Sequence, residues 1–83
     1  MNEDLFLKAL SNQMSIQRNR AHKSQLDVYL DTGIHIGRIE QGDTSILLVT
    51  YYRLCKYYSI AFEEVLNEID SVMSSNDKGV IAF

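Results

Sequence analysis

Apolar side chains recur along residues 3–21 at Phe6, Leu10, Met14 and Ala21, with Leu7 widening the same face. Spacings of four, four and seven predict an amphipathic helix. Ser24 suits a helix N-cap, and a short second helix over Gln25–Leu30 carries Leu26, Val28, Tyr29 and Leu30. Asp31-Thr32-Gly33 reads as a turn, with Thr32 placed to cap the next segment. Ile34, Ile36 and Ile39 fit either a strand or a short helix, and Gln41–Ser45 is a loop with Gly42 as a helix C-cap. Ile46–Tyr52 has the β-branched and aromatic content of a strand, yet Leu48, Tyr51, Cys55 and Tyr58 share one helix face. Residues 62–73 repeat the helical pattern at Phe62, Val65, Leu66, Ile69 and Val72 or Met73, with Ile60 and Val65 spaced as a hydrophobic staple. Ser74–Asp77 is polar and turn-like, ahead of an apolar tail from Gly79 to Phe83. The pattern predicts one all-α domain of five short helices over residues 1–73, followed by a polar turn and tail at 74–83.

Composition sharpens this. The 83 residues include no proline and four glycines, which leaves few imposed breaks and disfavours a small all-β domain. An apolar fraction of 46% beside a charged fraction of 23% is ordinary for a globular chain and excludes a disordered or fibrous one. The longest apolar run, Ile46–Val49, is far short of a membrane span, and the acidic start Met1-Asn2-Glu3-Asp4 is unlike a signal peptide. A single cysteine, Cys55, forms no internal disulfide, so a reducing, cytoplasmic setting is expected. The net charge of −3 hides a polarity. Between Lys8 and Arg38, five bases face two acids, whereas from Ile39 onward seven acids face three bases.

The order Arg18, Ser24-Gln25, Gly33 and Ile39-Glu40-Gln41-Gly42 resembles the Cro/phage-repressor (XRE-type) helix-turn-helix family. Gln25 lies seven residues after Arg18 and Gly33 eight after Gln25, as the family pattern has it. Leu48, Tyr51, Leu54, Cys55, Tyr58, Ile60, Phe62 and Val65 fall on family apolar positions, and Phe62-Glu63-Glu64-Val65-Leu66 is similar to the start of its fifth helix. The resemblance covers residues 14–66 and implies a five-helix lambda-repressor-like fold. One departure lies in its middle: seven residues separate Gly33 from Glu40, about one helical turn fewer than usual. Either helix 2 is short and Thr32 caps a full recognition helix, or helix 3 is itself clipped. The first is expected, because Thr32 suits a cap and the run back from Glu40 then needs no gap. Tyr29 stands where alanine is usual, Gln17 and Lys23 where apolar residues are usual, and Ala61 where a cap is usual.

In such a family one helix crosses the DNA backbone while the next enters the major groove. The resemblance therefore implies double-stranded DNA as the partner. Ser24 and Gln25, at a helix start, are placed to meet a phosphate. Thr32, Gly33, Ile34, His35 and Arg38 lie at the expected entry to the groove, with Arg38 suited to guanine. Ile34 fits a thymine methyl or packing on helix 2 equally, and Gly37 permits close approach either to the DNA backbone or to helix 2. Lys23, Arg20, Thr44 and Ser45 are candidate phosphate contacts. The resemblance also implies a structural ion pair, Arg18 with Glu40; partly buried, it would leave a stranded charge if either partner were removed.

No metal spacing surrounds His22, His35 and Cys55, no glycine-rich phosphate loop is present, and Cys55 falls on an apolar face as a core thiol. Neither an enzyme nor a cofactor is expected. Five tyrosines and the apolar tail exceed what one small core absorbs, which points to a homodimer through helix 5 and the tail, unless the tail folds back or frays. The rival reading is a protein-interaction module or antitoxin of the same fold with a protein partner.

Overall fold

The computed structural model describes residues 1–42 and 44–81, with side chains up to Ser75. The described residues form α1 (Glu3–Arg20), α2 (Gln25–Thr32), α3 (Ile36–Glu40), α4 (Leu48–Tyr57) and α5 (Phe62–Ile81), and no strand. The all-α expectation holds, and Ile46–Tyr52 resolves to a two-residue lead-in and the first half of α4.

Local chemistry fixes both ends of α1 and α2 and the end of α4. Asn2 caps α1 by accepting from the Leu5 N–H at 3.0 Å, with Glu3 and Asp4 in the first turn and Arg18 and Arg20 in the last, complementing the helix dipole. At the other end His22 adopts φ 57°, the Lys23 N–H reaches Arg18 O and the His22 N–H reaches Asn19 O, a Schellman turn built without glycine. α4 ends in the same way: Ser59 adopts φ 58°, and the Ile60 and Ser59 N–H groups bond Cys55 O and Lys56 O. α2 opens on a reciprocal capping box between Ser24 and Asp27, as the Ser24 reading anticipates in part, and closes on Gly33 at φ 75°.

α1 packs on both α3 and α5 and so lies between them, while α2 packs on α3 and α4 on α5. Their shared core holds Leu10 and Met14 from α1, Val28 from α2, Ile34, Ile36 and Ile39 around α3, Tyr51, Leu54, Cys55 and Tyr58 around α4, and Val65, Ile69 and Met73 from α5. The Tyr51 hydroxyl donates to Phe62 O at 2.6 Å, and the two rings meet edge-on at 5.0 Å, which ties α4 to the start of α5. Glu63, Glu64, Glu68 and Asp70 stand exposed along α5.

Three expectations are corrected. The predicted turn at 74–77 is helix, because α5 continues to Ile81; the boundary drawn after residue 73 falls inside α5, while Ala82 and Phe83 lie outside the described residues. Leu48, read on the buried face, is 70% exposed, since the buried face is set by Tyr51, Leu54, Cys55 and Tyr58. Thr32 does not open a full third helix: α2 runs through it with eight residues and α3 has five.

Candidate functional site

The reason for the short α3 sits at Thr32. Its hydroxyl donates to Val28 O at 2.7 Å, one turn back, and accepts from the Ile34 N–H at 3.1 Å. Thr32 therefore completes α2 and does not cap α3. The glycine directly after it is a helix-ending signal, and that signal prevails over the N-cap preference of threonine. Thr32 consequently does not share a face of α3 with His35 and Arg38. His35 takes the N-cap position of α3 with no side-chain cap bond. Ile34 is 7% exposed and packs in the core, while also lining the larger of the two hollows described below.

Behind α3 lies a polar latch. Arg18 meets Glu40 through two bonds, Nε to Oε2 at 2.7 Å and Nη2 to Oε1 at 3.0 Å, and its Nη1 donates to Lys23 O at 2.9 Å. The side chains are 14% and 8% exposed, and the carboxylate beside it raises the Arg18 guanidinium above its ordinary value. Gln25 adds a third donor, Nε2 to Glu40 Oε1 at 3.2 Å. A Cβ at Gly37 would come within 3.0 Å of Gln25 Oε1, so Gly37 serves close approach to α2. The last turn of α1, the first turn of α2 and the last residue of α3 are thereby held together by charge-assisted bonds, the strong kind.

Ser24 and Gln25 thus already have partners inside the protein. Ser24 Oγ accepts from the Asp27 N–H at 3.0 Å, and Asp27 Oδ2 accepts from the Ser24 N–H at 2.8 Å. These bonds hold the Asp27 carboxyl below its ordinary range, so a negative charge of the chain's own occupies the start of α2, where a phosphate was expected. Lys23 has its ammonium 3.7 Å from Asp31 and 5.8 Å over the Tyr57 ring, and the Tyr57 hydroxyl donates to Asp31.

His35 and Arg38 remain exposed. They line both of two open hollows and form the ridge between them. One hollow, about 390 Å³, is bounded by Gln25, Leu26, Tyr29 and Gln41; the other, about 570 Å³, is bounded by Gly33, Thr44, Ser45, Thr50 and Arg53. The His35 imidazole lies 4.6 Å from the Tyr29 ring, centroid to centroid. Arg53 donates to Thr32 O at 2.5 Å, bringing a cation to the wall of the larger hollow. The predicted residues His35, Arg38, Gly33 and Thr44 are brought together on this surface. Lys23 lies apart, engaged with Asp31 and Tyr57.

No family model, curated protein or solved structure matches the chain.

Among the described residues, no group of three or more His, Cys, Asp or Glu side chains is placed to hold a metal ion, and no helix is long and apolar enough to cross a membrane. Cys55 is buried, and burial pushes its thiol up, away from the reactive thiolate. Sequence reasoning missed Tyr29, Gln41 and Arg53 as parts of this surface. Tyr29 alone carried a signal, as an aromatic ring where the resembled family has alanine.

Proposed function

We propose that the chain is a sequence-specific DNA-binding transcriptional regulator, a repressor with a lambda-repressor-like fold, that reads the major groove with α3 and works as a homodimer. The observation that carries this reading is the exposed His35–Arg38 ridge, mounted on a helix braced from behind by the Arg18–Glu40–Gln25 latch. A base-reading group needs its donors held still on a rigid element, and the latch supplies that rigidity. Arg38 offers two parallel donors, which match the O6 and N7 acceptors of guanine in the major groove. The spacing that resembles the phage-repressor family supports the same reading, and the short α3 confines base contact to few side chains.

Titration against the DNA upstream of its own gene and an unrelated fragment, at about 50 and 200 mM salt, tests this. Preference for the first fragment and a loss of about a hundredfold or more at the higher salt are expected, through release of counterions from phosphates. Arg38→Ala should remove about 1–3 kcal/mol of discrimination at one base pair and leave other positions unchanged. Binding to neither fragment at low salt sinks the proposal.

One observation favours a second reading, a protein-interaction module or antitoxin. Leu26 and Leu30 on α2 are 62% and 70% exposed beside the exposed Asp27 and Asp31, a surface suited to a protein partner rather than to phosphates. Such a contact would be insensitive to salt, which separates the two readings.

A further inference from the structure

We propose that Tyr29 is the positioning residue for base readout, its ring on α2 holding the His35 imidazole in register with Arg38; this rests on the DNA-binding reading above. α3 has five residues, so the groups it presents to a groove are few, and His35 stands before its first turn with backbone angles of −79° and 73° that lie outside the helix. No cap bond fixes the side chain there. The Tyr29 ring supplies the missing restraint, with centroids 4.6 Å apart and planes tilted by 36°.

Tyr29 is itself well anchored. Its carbonyl accepts the Gly33 N–H at 2.8 Å, and it belongs to a helix closed at both ends, by the Ser24–Asp27 box and by Gly33. A tyrosine side chain has only two torsions to fix, so it transmits the rigidity of its helix at low entropic cost. Tyr29 is 42% exposed, enough to leave His35 open to a ligand while its ring lies tilted against the imidazole. Tyr29, His35 and Arg38 line the same 390 Å³ hollow. An imidazole held there donates a ring N–H to a purine N7 while Arg38 forks onto guanine, and the distance between the two donors selects which adjacent base pairs satisfy both. Part of the sequence preference of α3 is thus set from α2.

Two measurements test this. In the free protein, nuclear magnetic resonance of the His35 ring protons should show the ring-current shift of an adjacent tyrosine ring. Tyr29→Ala should abolish that shift and Tyr29→Phe keep it. On the duplex from upstream of its own gene and its single-base variants, Tyr29→Ala should lower discrimination at one base pair by about threefold to tenfold, the range an aromatic pair contributes. Affinity for unrelated DNA and the salt slope should not change, and Tyr29→Phe should restore discrimination. His35 resonances unmoved by Tyr29→Ala, or an equal loss on every duplex, would overturn the positioning role while the DNA-binding reading stands. A wild-type protein that binds no duplex overturns both.

Discussion

Tyr58 lies in the core at 7% exposure, and its hydroxyl is the buried side-chain polar atom without a hydrogen-bond partner among the described residues. An unmet hydroxyl in that position costs about 1–3 kcal/mol relative to its hydration in the unfolded chain. Burial accordingly pushes its ionisation far up, with the Glu40 charge adding to the effect. Tyr58→Phe keeps the ring and removes the orphan, so chemical denaturation should show unchanged or higher stability, by up to about 1 kcal/mol. A loss larger than about 1 kcal/mol would mean that the hydroxyl is satisfied by a bridging water. The same accounting explains Arg18 and Glu40 in the opposite sense, since each of their charged groups ends on a partner. That pair was legible in the sequence only through the spacing of a resembled family. Tyr58 gave no such signal, because its place on the apolar stripe says nothing about where its oxygen ends.

At the scale of elements, two helices end on left-handed residues that are not glycine. His22 and Ser59 close α1 and α4 with the bonding of a Schellman turn, at a conformational cost of about 1 kcal/mol each for a side chain in that region. Ser59→Gly should therefore raise the unfolding free energy by about 0.5–1 kcal/mol, read as a higher denaturant midpoint at unchanged slope. An unchanged midpoint would show that the serine side chain offsets the backbone cost. These ends explain how the chain stops two helices with so few glycines, and why their limits are blurred in the sequence. Where a glycine does stand, at Gly33, its signal competes with the capping preference of Thr32, and giving the threonine precedence wrongly shortens α2 and lengthens α3. The start of α2 is legible, because Ser24 is a strong cap, and Asp27 three residues on completes the spacing of a capping box, a mark that the reading of Ser24 alone leaves unused. At 74–77 four polar residues suggest a turn, yet none of them breaks a helix as proline does, and α5 runs on.

Over the whole molecule, the backbone extends 49 Å in its longest direction and 23 and 21 Å in the others. α5, with 20 residues, accounts for about 30 Å of helix. Its last buried side chain among those described is Met73, about two turns before the helix ends at Ile81. If those turns pair two copies, as the homodimer proposal requires, removal of residues 77–83 should give a monomer by sedimentation velocity while helicity per residue is kept. A truncated chain that still sediments as a dimer would move the interface elsewhere, with the exposed Leu48, Val49 and Tyr52 on α4 as the next place to look.

The placement of α1 between α3 and α5 has one more consequence. Among the described residues, Arg38 stands exposed on α3 and Glu63, Glu64, Glu68 and Asp70 stand exposed on α5, so the two helices that α1 separates carry charges of opposite sign. Under the DNA-binding reading, such a separation would act as a torque near a polyanion. It turns the α3 side inward and the α5 side outward within about 10 Å at ordinary ionic strength, before any side chain touches. Orientation would then be selected in solution, and fewer collisions would arrive wrong way round.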